Sequence, residues 1–189
     1  MPKPPLRPVK APLVIFCEGE VTEPGWLAGL GRSVGNRALD IRPGPGAPLT
    51  LVGKAATEVR RLRAEGETEG EVWCVFDVDE HPRLPEARLV ARQAGVHLAV
   101  SNPCFELWLL LHFREQPGMQ HRRDVSRMLR EFLPRYEKSV EFAQTSSHLR
   151  DATKRARRLA EDASAVGEPG RNPSTDVYLL VERIMGPGA

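Results

Sequence analysis

Val72-Trp73-Cys74-Val75-Phe76-Asp77-Val78-Asp79 is a run of five apolar residues that passes directly into an acidic pair. A continuous apolar run of this length, closed by polar residues, is what a strand buried on both faces requires. The same pattern occurs earlier in Leu13–Cys17, LVIFC, which ends on Glu18-Gly19-Glu20, and later in residues 96–100, VHLAV, which ends on Ser101-Asn102. Leu39-Asp40-Ile41-Arg42 adds a short alternating strand before the loop PGPGAP. Helical spacing fills the intervals. Trp26, Leu27 and Leu30 follow Pro24, with Thr22 or Glu23 as candidate cap. Leu51, Ala55, Val59 and Leu62 lie on one face of a helix capped by Thr50 and running to about Ala64. A third helix spans residues 86–94, with Gly95 as its stop. Strand and helix alternate four times. That order predicts an α/β, Rossmann-like fold: a four-stranded, mostly parallel sheet flanked by helices.

The rest of the chain reads as helical. An apolar helix is expected over residues 105–113, and three more over 123–132, 147–162 and 175–185. The expected organisation is a flexible Pro-rich N-terminus at 1–12, an α/β catalytic core at 13–113 and a helical C-terminal extension at 114–189, packed on the core. Hydrophobic residues make up 41% of the chain, enough to build a core. No apolar run approaches the roughly 18 residues of a membrane span. The N-terminus has no signal-peptide pattern, so the expected location is cytoplasmic. Three cysteines, Cys17, Cys74 and Cys104, fit neither a disulfide framework nor a zinc spacing and read as buried thiols.

Charge is unevenly spread. Residues 1–113 carry a net −1, and residues 114–158 carry 12 basic and 6 acidic side chains. An acidic segment followed by a basic one suits an enzyme of nucleic acid that needs a metal, although a basic helix face is also what solvent alone would select.

Ligands of open α/β sheets bind beyond the carboxyl ends of the strands. Those ends carry Glu18, the pair Asp77 and Asp79, and Ser101-Asn102, with Glu106 one helical turn on. Carboxylates brought to one edge repel one another, and burial makes this worse. A cation relieves the repulsion. All-oxygen donors favour Mg²⁺ or Mn²⁺, with Glu18, Asp77 and Asp79 as ligands. Gly19 lets the chain turn tightly and a phosphate come close. Glu20 and Glu23 serve either as further ligands or as helix N-terminal charges.

Other chemistries lack their motifs. There is no phosphate-binding G-x-x-x-x-G-K-[ST], no dinucleotide G-x-G-x-x-G after the first strand and no G-x-S-x-G elbow. Asp77-Val78-Asp79 is similar to the motif of haloacid-dehalogenase phosphatases, but His81 stands where that family places Thr or Val. A small-molecule phosphohydrolase is kept as an alternative.

Several stretches resemble the RloB-like family. They are Cys17-Glu18-Gly19-Glu20-Val21-Thr22-Glu23-Pro24, Phe76-Asp77-Val78-Asp79, the run from Ser101-Asn102-Pro103-Cys104-Phe105-Glu106 to His112, and Asn172-Pro173-Ser174-Thr175. That family is similar to TOPRIM domains, the catalytic module of topoisomerases, primases and OLD-family nucleases. The resemblance implies a TOPRIM-like core in which Glu18, Asp77 and Asp79 carry metal and acid/base roles. It also implies a bacterial restriction or anti-phage locus and an AAA-type ATPase as possible partner. A Tyr-x-Lys pattern in the resemblance points to Lys138 as a substrate-binding cation. The chain is too short for a topoisomerase, and Tyr136 and Tyr178 have no strand-passage motif around them.

The expected function is a metal-dependent nuclease that hydrolyses phosphodiester bonds of DNA or RNA. The alternative is a non-catalytic TOPRIM-like subunit that acts only with an ATPase. Gly19, Lys138, Arg155 and Arg158 are the expected substrate contacts. Arg114, Arg122, Arg123 and the run from Lys154 to Arg158 are further phosphate candidates. Glu20, Asn102, Glu106 and His112 are expected behind the ligands. Asn102 also reads as a helix cap, and His112 as a core histidine. No aromatic residues alternate with the basic ones, so base stacking is not indicated.

Overall fold

The structure, a computed structural model, describes residues 11–36, 38–78, 83–116 and 118–186. Its strands are β1 (Leu13–Cys17), β2 (Leu39–Pro43), β3 (Glu71–Asp77), β4 (His97–Asn102) and β5 (Ser174–Thr175). Its helices are α1 (Thr22–Ser33), α2 (Pro48–Ala64), α3 (Leu84–Ala94), α4 (Glu106–Leu110), α5 (Arg122–Phe132), α6 (Leu149–Ala165) and α7 (Val177–Met185). Two 3₁₀ turns, Phe142–Gln144 and Ser146–His148, precede α6.

The sheet order is β2-β1-β3-β4-β5. The first four strands are parallel and β5 is antiparallel to β4. Sequence patterning predicts four strands; the fifth is added because it has only two residues, too few for a periodic signal. Its register sets Ser101 opposite Thr175, and their hydroxyls hydrogen-bond at 2.8 Å.

Alternation along the central strands explains why their sequences are apolar throughout. Leu13, Ile15 and Cys17 of β1, with Trp73 and Val75 of β3, point into a core shared with α1 and α4 to α7. Val14 and Phe16, with Val72, Cys74 and Phe76, point the other way onto α2 and α3. Each strand therefore buries both faces. All three cysteines are free and buried, and burial pushes the Cys74 thiol up to about 12.

Helix boundaries differ from expectation in instructive ways. Helix α2 begins at Pro48, which suits the first turn, so Thr50 lies inside the helix and caps nothing. Helix α3 starts at Leu84, also with Pro in its first turn, and ends at Gly95 with φ 74°, as expected. Helix α4 is regular only from Glu106 to Leu110; residues 111–113 continue as turns. Asn102 does not cap it. Its side-chain amide donates to the Gly170 carbonyl at 2.9 Å and fastens β4 to the segment before β5. Of the expected N-terminal lead-in, residues 1–10 lie outside the described residues, as does Asp79.

Candidate functional site

Strand β2 lies on one side of β1, while β3 and β4 lie on the other. The chain thus reverses its direction of winding between β1 and β3, and the carboxyl ends of those two strands open a crevice. Glu18 follows β1 and Asp77 ends β3. The Asp77 N–H donates to Glu18 Oε2 at 3.3 Å, which joins the two strand ends.

A cavity of about 260 Å³ occupies the crevice. Glu18, Gly19, Glu20, Thr22, Glu23 and Asp77 line it on one side; Phe105, Glu106, Arg122 and Lys138 complete it. Five carboxylates, those of Glu18, Glu20, Glu23, Asp77 and Glu106, therefore share a small volume with two cations. Asp77 is held well above the ordinary aspartate value of 3.8, first by burial and then by Glu23 and Glu106; Arg122 opposes the shift. Glu23 is raised above 4.5, again chiefly by burial, with Glu106 and Glu18 adding to it and Lys138 opposing. The crevice carries more negative charge than its residues balance.

Each wall has a local cause. Gly19 has no side chain where a Cβ would strike the Glu23 carboxylate, so the glycine gives Glu23 room to turn inward from the first turn of α1. Asp77 Oδ1 accepts the Phe105 N–H at 2.8 Å, which ties β3 to the start of α4. Glu106 is buried on the inner side of α4 and accepts the Tyr136 hydroxyl at 2.9 Å. Lys138 has φ 59°, a left-handed conformation unusual for lysine. Its carbonyl is held by the Thr22 hydroxyl at 2.7 Å, across 116 residues of sequence. The segment from Tyr136 to Lys138 is thus latched to both α4 and α1, and the C-terminal part supplies a wall of the cavity.

The expected residues divide accordingly. Glu18, Gly19, Glu20, Asp77, Glu106 and Lys138 line the cavity. Asp79, the expected third ligand, lies outside the described residues. His112 does not reach the carboxylates. It is buried among Trp26, Trp108 and Phe113, its Nδ1 faces the Trp108 carbonyl at 3.0 Å, and burial lowers its pKa to about 4. Arg155 is only 23% exposed and spends its guanidinium on the carbonyls of Leu111 and His112 and on Glu115. It closes the end of α4 rather than a substrate site. Arg158 is exposed on α6, 4.0 Å from Asp162, away from the cavity. Asn102, as above, serves β4.

Two contributors carry little sequence signal. Glu23 reads as an ordinary helix N-terminal charge, and only the missing side chain at Gly19 indicates its inward turn. Tyr136 has no motif of its own, but its spacing to Lys138 marks it in retrospect.

Among the described residues, no three His, Cys, Asp or Glu side chains stand close enough to hold a metal ion as a group. The donors that are present are carboxylate oxygens alone, in a crevice short of positive charge. This set suits a hard divalent cation.

A family model described as RloB-like protein matches residues 13–184. No curated protein and no solved structure matches the chain.

Proposed function

This chain belongs to the RloB-like family, and from that premise we propose that it is a metal-dependent nuclease with a TOPRIM-like core. One observation carries the reading: Glu18, just after β1, and Asp77, at the end of the adjacent parallel strand β3, meet at the reversal of the sheet in a cavity that Glu23, Glu106, Arg122 and Lys138 also line. A Glu-Gly after the first strand and an Asp-x-Asp after the third are the TOPRIM arrangement, and Glu18-Gly19 and Asp77-Val78-Asp79 occupy those places in sequence.

Glu18, Asp77 and Asp79 would hold Mg²⁺ or Mn²⁺. Bound there, the ion would polarise a phosphate oxygen and acidify a water molecule. The remaining roles belong to the chain. Glu23 and Glu106 stand at the cavity wall where a proton must be taken from water or given to a leaving oxygen. The Tyr136 hydroxyl fixes Glu106 for that work. Lys138, held at its carbonyl by Thr22, presents an ammonium group to a phosphodiester, and Arg122 does so from the first turn of α5. Contacts of this kind recognise phosphate rather than base, so cleavage has little sequence preference and falls as salt rises.

The test uses purified wild type and the Asp77→Asn variant with plasmid DNA and with total RNA, each in Mg²⁺, Mn²⁺ or EDTA. Cleavage by wild type only, abolished by EDTA, supports the reading and names the nucleic acid. Cleavage that persists in Asp77→Asn or in EDTA refutes it.

A further inference from the structure

Both oxygens of Asp77 are engaged, and for different purposes. Oδ1 accepts the Phe105 N–H at 2.8 Å and belongs to the fold. Oδ2 faces Arg122 Nη2 at 3.6 Å, too long for a hydrogen bond but close enough for strong attraction. The arginine is 41% exposed and the aspartate 13%. The aspartate is held through Oδ1 in the buried part of the cavity, and the arginine lies on the side that reaches water.

We propose that Arg122 is an exchange residue. It balances Asp77 while the carboxylates hold no metal ion, yields Oδ2 when a divalent cation arrives, and then takes up a phosphate oxygen of the nucleic acid. The inference rests on the metal-dependent reading above and adds to it an order of events and a coupling between two ligands.

The geometry around Arg122 allows such an exchange. Helix α5 is fixed by Val125, Met128 and Leu129, which lie in the core. Its start is capped by His121, whose ring nitrogen accepts the Arg123 N–H at 3.2 Å. The helix is held by those core side chains and its cap, so a rearrangement of the Arg122 head leaves α5 in place. Two cations cannot share one carboxylate oxygen cheaply, because they repel across a buried volume where screening is weak. With a divalent cation held by these carboxylates, Asp77 would hold the Arg122 guanidinium less strongly. The guanidinium fork matches the oxygens of a phosphodiester and loses little hydration on binding one. Lys138 has a different place. It opposes the shift of Glu23 rather than of Asp77, and Thr22 pins its backbone.

Exchange makes two opposite demands on one side chain. Arg122 weakens metal binding, because the ion must displace it, and strengthens nucleic-acid binding once the metal is in place. A residue needed only for folding would change both in the same direction.

The experiment measures Mn²⁺ uptake by the full chain, read from the electron paramagnetic resonance signal of the free ion. It also measures binding of a labelled single-stranded DNA and a labelled single-stranded RNA by anisotropy, in Ca²⁺ or in EDTA. The variants are Arg122→Gln and Arg122→Lys. Arg122→Gln should bind Mn²⁺ about fivefold tighter or more and, in Ca²⁺, bind whichever oligonucleotide wild type takes about fivefold weaker or more. Wild type should hold that oligonucleotide tighter in Ca²⁺ than in EDTA, and Arg122→Gln should lose the difference. Arg122→Lys, which keeps the charge, should restore part of the oligonucleotide affinity. If wild type takes up Mn²⁺ and Arg122→Gln takes it up no tighter, the exchange is wrong and the metal reading survives. Tighter Mn²⁺ with unchanged oligonucleotide binding also overturns the exchange. If neither protein takes up Mn²⁺, the metal reading fails together with the exchange.

Discussion

The Phe105 N–H donates to Asp77 Oδ1 at 2.8 Å, so a carboxylate of the cavity also serves as the backbone partner at the start of α4. The two duties can be separated by chemistry. Asparagine keeps the acceptor oxygen and loses the charge, and alanine loses both. In EDTA, Asp77→Asn should melt at or above the wild-type temperature, because a buried repulsion is removed. Asp77→Ala should melt below Asp77→Asn by about 1 kcal/mol of stability, the usual cost of a lost helix-end acceptor. Calorimetry of the three proteins checks both.

Acidity should stabilise the metal-free protein over part of its range. Asp77 and Glu23 bind their protons more tightly in the folded chain than the ordinary values of 3.8 and 4.5. The folded state therefore holds more protons than the unfolded one between those values and the raised ones. The stability these groups contribute is fully present below the ordinary values and is lost as pH rises through the raised ones. In EDTA the melting temperature should rise as pH falls from 7 toward 5. In Asp77→Asn/Glu23→Gln the slope should flatten. A slope unchanged by the double substitution rules the explanation out.

Gly19→Ala should affect the site and spare the fold. The new methyl group meets only the far end of Glu23, which can swing away, so the melting temperature should stay within about 2 °C of wild type, the shift expected for roughly 0.5 kcal/mol. Glu23 then leaves the cavity. If the proposed activity is right, nucleic-acid cleavage should fall by about a hundredfold or more, the range for loss of a positioned acid/base group. A drop in melting temperature comparable to a core substitution contradicts this account.

The Trp26 indole N–H donates to Thr145 Oγ1 at 2.9 Å inside the core. Thr145→Val keeps the volume and removes the acceptor. The buried indole N–H is then left unsatisfied, at about 1–3 kcal/mol. Each kcal/mol lowers the melting temperature of a chain this size by roughly 2–4 °C. Serine at the same place should recover most of the loss, which distinguishes the hydrogen bond from packing.

Glu58 responds to acid in the opposite sense to Asp77. It is buried on α2 and lies between Arg61 and Arg42; hydrogen bonds from Arg61 first, and from Arg42, hold its pKa near 2 against the ordinary 4.5. Its contribution is present above 4.5 and is lost as pH falls through about 2. The two arginines are 46% and 36% exposed, so water screens much of the gain. Glu58→Gln should lose about 1 kcal/mol at neutral pH, and the difference from wild type should vanish near pH 2 in urea titrations.

The fold was legible where burial imposes a pattern. LVIFC and VWCVF have no polar position because β1 and β3 cover both faces, and their alternation with helices identifies a parallel sheet. The position of Glu18 and Asp77 follows from strand ends. What the sequence conceals is long-range and individual. The Thr22 contact with Lys138 spans 116 residues and the Tyr136 contact with Glu106 spans 30, and neither leaves a periodic trace. Arg155 and Arg158 illustrate the converse. Both belong to a basic run, but helical geometry sends one to the carbonyls of the turn after α4 and the other to solvent. His112 belongs to the same apolar segment as Glu106, yet lies among aromatic rings because it falls on a different side of the chain.

Strand β5 has a consequence in the order of synthesis. Ser101 and Asn102 leave the ribosome first, and Thr175, which pairs with Ser101, follows 74 residues later. At translation rates of 5–20 residues per second that delay is on the order of 4 to 15 seconds. Through that interval the nascent sheet has an open edge at β4, beside carboxylates whose partner Lys138 also arrives late. A ribosome stalled before Thr175 would display an unpaired strand to every neighbouring chain. The β4 edge at Ser101 and Asn102 is therefore covered only once Ser174 and Thr175 have been made.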